Sequence, residues 1–170
     1  QNTVFSSAYR GWGWKEPNTH LVITEMNNYF KNFKYIHVIR HGLDMAFSEN
    51  QQQLFNWGPL FGVGIPAFKD HIPLASFQYW VKANKAALET GKSLGTRKFH
   101  LLNFDKLCTD TKHEVEKLGI FLGVDFERTF YQKVCELPKT PASSGRYKQN
   151  DISNFPDDDL AFLEELGFGY

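Results

Sequence analysis

The sequence predicts an α/β domain, a parallel sheet flanked by helices, and three observations carry that prediction. Residues 34–40, KYIHVIR, form a short, largely apolar and β-branched run of the kind that fills a central parallel strand. A second such run follows at 99–104. Between them the period changes: Phe77, Trp80, Val81, Asn84 and Leu88 fall at the i, i+3, i+4, i+7, i+11 spacing of one helical face. Strands that alternate with helices argue for a parallel sheet.

Taken in order, residues 19–33 read as a helix with Ile23, Met26, Phe30 and Phe33 near one face. The strand at 34–40 follows. His41-Gly42-Leu43-Asp44 makes a tight connection, and a helix begins near Asp44 that carries Ser48 in its opening turn. Residues 54–72 are rich in Gly, Pro and aromatics and read as a loop. The amphipathic helix spans about 73–90, with Gly91 and Gly95 ending it, and leads to the strand at 99–104. Thr111 and Glu114 match a capping box. The helix they open is expected to bury Val115, Leu118 and Leu122 and to stop at Gly123. A polar loop covers 138–154. Pro156 and three aspartates then open a last helix, with the acids matched to its dipole.

Composition narrows the function. The 170 residues suffice for one domain with a sizeable core, and 42% apolar content suits a globular chain. Nineteen basic residues balance nineteen acidic ones, so the basic excess of a nucleic-acid binder is missing and any anion site must be local. The aromatic share, 16%, serves mostly the core. Cys108 and Cys135 are isolated, with neither metal spacing nor a disulfide framework. That favours a reducing, cytoplasmic compartment and no bound metal. No run of eighteen apolar residues is present to span a membrane. The start, Gln1-Asn2-Thr3, is neither an initiator Met nor a signal peptide, and it is expected to lie partway through a longer protein.

Three clusters could carry chemistry. Arg40 ends the first strand and Ser48 follows it by eight residues. Ligands of open α/β sheets bind at the carboxyl ends of strands, and helix N-termini favour phosphate. An Arg fork and a Ser hydroxyl suit the same anion. An Arg paired with a neighbouring acid and a Ser capping a helix also fit the spacing. Lys15 precedes Glu16-Pro17, a segment pushed toward extended geometry, so its ammonium is aimable; an ordinary solvated lysine fits too. Ser143-Ser144-Gly145-Arg146-Tyr147-Lys148 offers small residues for close backbone approach and two cations, or simply a surface loop.

In this order and spacing the pieces resemble the sulfotransferases that use 3'-phosphoadenosine 5'-phosphosulfate (PAPS). Lys15-Glu16-Pro17, then Arg40 and Ser48, is similar to that family's Lys-acid-Pro, strand-ending Arg and following Ser. LLNFDKL at 101–107 resembles its strand, Tyr, acid and Leu segment. SSGRYK and the closing DDDLAFLEELGFGY resemble the Gly-Arg-aromatic loop and last helix of bacterial members. The likeness runs from about residue 9 to 170.

The resemblance implies a P-loop-NTPase-like sulfotransferase fold, incomplete at the N-terminus, and sulfonate transfer to a hydroxyl or amine. It implies that Arg40 and Ser48 hold the 3'-phosphate and that Lys15 stabilises charge on the bridging oxygen. Ser144, Gly145 and Arg146 would belong to a loop closing over the nucleotide. Phe104 stands where some members place a Tyr against the nucleotide, so that hydroxyl is absent. His41 replaces a frequent Asp. The family's Gly-rich phosphosulfate loop and catalytic base are not in these residues. The 170 residues would therefore be the C-terminal two-thirds or so of one domain, or a relative that binds a nucleotide or partner without transferring sulfonate. Acceptors in the family include small molecules, glycans and lipids. A kinase of related topology would need a Gly-Lys-Ser/Thr signature, which is missing.

Overall fold

The computed structural model describes residues 11–170, so Gln1-Asn2-Thr3 and the first positions of the resemblance lie outside the described residues. Helix α1 (Ile23–Tyr29) leads to strand β1 (Tyr35–Ile39) and the short helices α2 (Gly42–Ala46) and α3 (Gln52–Trp57). The long helix α4 (Ile72–Leu94) returns the chain to strand β2 (Phe99–Asn103). Helices α5 (Phe104–Thr109), α6 (Thr111–Leu122), α7 (Arg128–Glu136) and α8 (Asp157–Glu165) complete the order.

β1 and β2 pair in parallel, from Tyr35 opposite Phe99 to Ile39 opposite Asn103. Parallel pairing brings both carboxyl ends to one edge, so Arg40 and Phe104 leave their strands side by side. The pleat sends His37 and Ile39 into the core, while Val38 between them is 54% exposed. α4 packs its predicted face against that core. Phe77, Trp80 and Val81 meet Ile39 and Leu43 on one side and Leu160, Leu163 and Phe168 on the other. Burying a side chain the size of Phe77, which has no exposed surface, contributes about 1.5–3 kcal/mol.

Several expectations are corrected. The first helix stops at Tyr29, because Phe30 is extended (φ −100°, ψ 117°). Ile23, Met26, Phe30 and Phe33 still meet in one apolar cluster with Ala87 and Phe99. Residues 54–72 are not all loop. α3 forms there because Leu54, 1% exposed, packs on Val63, Ala75 and Tyr79, and tertiary burial stabilises a helix too short to persist alone. α4 runs through Gly91, where the missing Cβ admits the Phe99 ring at 2.6 Å, and ends at Gly95 with φ 76°. The capping box does not form: Thr111 lies inside α6, and Glu114 pairs with Lys117 at 2.7 Å. Phe121 turns inward to stack on His100 at 5.1 Å, which leaves Leu122 41% exposed. β2 ends one residue early because the Asn103 carboxamide accepts the Lys106 N–H (3.0 Å) and starts α5.

Candidate functional site

The strand run at Tyr35–Ile39 ends where the chain must turn sharply beneath α4. Gly42 permits the turn: a Cβ there would lie 2.7 Å from the Trp80 ring and 2.9 Å from that of Phe77. The His41 N–H donates to Asp105 Oδ2 (3.0 Å), which ties this corner to the start of α5 after the second strand. Arg40 is thereby held at the carboxyl edge, its guanidinium carbon 5.7 Å from the centre of the Phe104 ring. A cation over an aromatic face at this distance is attracted by the ring quadrupole. Arg40 Nε is buried with no hydrogen-bond partner. Arg40 makes no ion pair among the described residues, so the acid-paired alternative is not realised. A half-buried cation with donors unspent is the kind of group an anion satisfies.

Asp44, 5% exposed in the first turn of α2, accepts the backbone N–H of Gly145 (2.7 Å) and of Tyr147 (3.3 Å). This clamp brings the Ser143–Lys148 segment to the β1–α2 corner. Gly145 has φ 82°, a left-handed geometry that glycine adopts without cost. Arg146 Nε donates to the Ser143 carbonyl (3.2 Å) and its Nη1 to the Phe47 carbonyl (3.4 Å). Ser144 Oγ is buried without a partner. Burial, then the Asp44 carboxylate, push the Tyr147 phenol above its ordinary pKa. Burial and then Asp105 push the Cys108 thiol up, with Arg40 pulling the other way.

Ser48 is displaced from its expected place. α2 closes at Ala46 with Phe47 as its cap, so Ser48 follows that helix rather than opening one. The Gln51 carboxamide donates to the Met45, Ala46 and Ser48 carbonyls at 3.3, 2.9 and 2.6 Å, which absorbs the acceptors a longer helix would use. Ser48 Oγ accepts the Asn50 N–H at 3.3 Å. The opening turn that Ser48 was expected to occupy belongs to Gly42–Asp44, and Ser48 lies past α2's other end, adjacent in sequence to Phe47, whose carbonyl receives Arg146.

Lys15 stands apart. It is exposed and makes no hydrogen bond or ion pair among the described residues. Its segment is held on both sides. Trp12 and Trp14 stack at 5.3 Å and pack on Phe30. Glu16 Oε1 accepts the Asn18 N–H (3.0 Å), and Asn18 Oδ1 accepts Trp57 Nε1 (3.0 Å). No hydrogen bond, ion pair or cation–ring contact joins Lys15 to Arg40, Phe104 or the 143–148 segment among the described residues.

The geometry adds residues that the sequence reading missed: Asp44, Asp105 and Tyr147. A buried Asp that binds backbone a hundred residues away leaves no local sequence signal. Among the described residues no group of three or more His, Cys, Asp or Glu is placed to hold a metal ion, and no helix is long and apolar enough to cross a membrane.

A family model described as "Sulfotransferase family" matches residues 2–128. Among solved structures, the "Sulfotransferase Domain from the Curacin Biosynthetic Pathway" superposes with a TM-score of 0.62 at 18% identity. The alignment covers 91% of this chain and 61% of that domain, so the chain spans about three-fifths of its length. Comparison with curated proteins gives no match.

Proposed function

The chain belongs to the sulfotransferase family, and from that premise we propose that it holds the nucleotide of a PAPS-dependent sulfotransferase acting on a hydroxyl or amine. The observation that carries this reading is Arg40: half-buried at the carboxyl end of β1, over Phe104, with a buried Nε that has no partner. Arg40 donates to the 3'-phosphate, and Ser48 adds a hydroxyl. Ser144, Gly145 and Arg146 cover the nucleotide beside them, and Phe104 supplies an apolar face.

In the transfer, the acceptor oxygen or nitrogen forms a bond to sulfur while the bond from sulfur to the 5'-phosphate oxygen breaks. The products are the sulfated acceptor and 3'-phosphoadenosine 5'-phosphate, and the acceptor proton passes to a general base. Lys15 stabilises the charge that develops on the bridging oxygen. In this reading the 170 residues belong to one domain whose phosphosulfate loop and base come from chain outside them. The acceptor is a small molecule, a glycan or a lipid. The isolated cysteines fit a cytoplasmic setting.

The test is calorimetry on the full-length protein. A hydrogen bond to a charged group contributes about 1.5–3 kcal/mol, so Arg40→Ala should weaken 3'-phosphoadenosine 5'-phosphate roughly 10- to 150-fold. Adenosine 5'-phosphate, which lacks the 3'-phosphate, should barely change. Equal losses for both nucleotides would remove Arg40 from the 3'-phosphate.

A further inference from the structure

The C-terminal residues 166–169 run past both strand ends, and their carbonyls collect donors from three separate elements. Asn103 Nδ2, at the end of β2, donates to the Leu166 carbonyl at 3.3 Å. His41, at the end of β1, reaches the Gly169 carbonyl through Nε2 at 2.8 Å. The Tyr147 hydroxyl, from the 143–148 segment, donates to the same Gly169 oxygen at 3.1 Å. A carbonyl oxygen only accepts, and it has two lone pairs. Both are therefore used, and His41 must carry its proton on Nε2. That assignment leaves Nδ1 buried with no partner, a cost the structure tolerates to keep the Nε2 bond.

Tyr147 is thus fixed at three points. Its N–H donates to Asp44, its ring stacks on His41 at 4.4 Å and 19°, and its hydroxyl is bound to the tail. Phe168 also packs on the His41 ring, at 5.2 Å and tilted by 57°. Tyr147 follows Arg146 directly, so whatever holds Tyr147 also sets the direction from which the Arg146 guanidinium leaves the backbone. An exposed loop carrying a functional Arg would otherwise lose conformational entropy on every binding event.

We infer that the Gly169 carbonyl, with His41 and Tyr147 as positioning residues, forms a latch through which the 166–169 segment presets the Arg146 loop before nucleotide arrives. The nucleotide part of this inference rests on the function proposed above; the mechanical part does not. Neither residue touches the ligand in this reading. Their effect passes through Asp44 and the backbone of 145–147.

The experiment separates the two parts, using the full-length protein. Tyr147→Phe removes one hydroxyl and keeps the stacked ring; His41→Phe removes the other donor and serves as the second variant. Thermal unfolding confirms that each is folded. Without nucleotide, the amides of residues 145 and 147, bound to Asp44, should exchange about 2- to 12-fold faster in either variant, the effect of one neutral hydrogen bond. Amides in α4 should be unmoved. Unchanged exchange at 145 and 147 in both variants overturns the latch, whatever the nucleotide does.

A double-mutant cycle then reads 3'-phosphoadenosine 5'-phosphate affinity for Arg146→Ala in wild-type and Tyr147→Phe backgrounds. If Tyr147 works by aiming Arg146, Arg146→Ala costs less in the Tyr147→Phe background. Strict additivity overturns the positioning role. If wild type does not bind this nucleotide at all, the proposed function falls, and the exchange data still decide whether the tail holds the loop.

Discussion

The sharpest prediction about the fold concerns pH and a single buried histidine. His37 lies in β1 at 8% exposure. Its Nε2 donates to Asn84 Oδ1 at 2.8 Å, and its Nδ1 accepts the Tyr35 hydroxyl at 3.2 Å. Asn84 is oriented in turn by donating to the Trp80 carbonyl (2.7 Å). The neutral ring is therefore fully satisfied, and protonating Nδ1 would require the Tyr35 hydroxyl to turn from donor to acceptor and would place a charge in the buried strand. Burial lowers the His37 pKa from 6.5 to about 4, opposed by the Asn84 bond and assisted by His20.

Below pH 6.5 the unfolded chain takes a proton that the folded chain refuses, so stability falls as pH falls and levels off below about pH 4. At 1.36 kcal/mol per pH unit the gap is about 3 kcal/mol, of which roughly 2.5 is lost by pH 4.5. Urea unfolding at pH 7.5 and 4.5 would measure this for wild type and for His37→Gln, which keeps an N–H for Asn84 and does not titrate. His20 and His100, also lowered by burial, remain in both proteins and cancel in the comparison. The variant should lose about 2.5 kcal/mol less than wild type across that interval. Equal losses in the two proteins would show that His37 does not resist protonation.

Other expected outcomes follow from single contacts. In the role proposed for Lys15 the interaction is made mainly in the transition state, so Lys15→Ala in the full-length protein should lower turnover about 100- to 1000-fold while donor affinity changes less than about tenfold; near-normal steady-state turnover would make it an ordinary surface lysine. Gly42→Ala should cost about 1–3 kcal/mol in urea unfolding, since its methyl meets the Trp80 and Phe77 rings below 3.0 Å and both rings lie in the core. Adding 3'-phosphoadenosine 5'-phosphate should slow hydrogen exchange across 143–148, with the larger change at Ser143, because the amides of Gly145 and Tyr147 are already held by Asp44 and those of Ser144 and Lys148 by the Pro141 and Gly145 carbonyls. No change anywhere in that stretch at saturating nucleotide would count against its covering role.

What could be read from the sequence follows the range of the forces involved. β1, β2 and the face of α4 were legible because burial leaves a period in the chain, and Phe77, Trp80, Val81 and Asn84 sit where that period puts them. α3 was not legible: its six residues are rich in Gln and Asn, and it exists because Leu54 finds a pocket built by residues up to twenty-nine positions away. The capping box at Thr111 failed for a related reason. The motif states which bonds are available, and Lys117 offered Glu114 a charged partner one turn further on.

The candidate site divides the same way. Arg40 was legible because a strand end needs only a local pattern, and the structure adds the observation that matters chemically, an unspent donor beside Phe104. The placement of Ser48 failed because a five-residue helix stops wherever a side chain captures its carbonyls, and Gln51 does so here. Arg146 was legible as a cation in a Gly-Ser loop, but what aims it was not. Asp44, His41 and the Gly169 carbonyl lie 102, 105 and 23 positions away from Arg146 in the chain. A single chain read alone carries no mark of such pairings. A candidate anion site can thus be marked in a sequence by residue type and position. The groups around it follow from topology, which sets the end of β1 and the 143–148 loop on the Gly169 carbonyl and the end of β2 on that of Leu166.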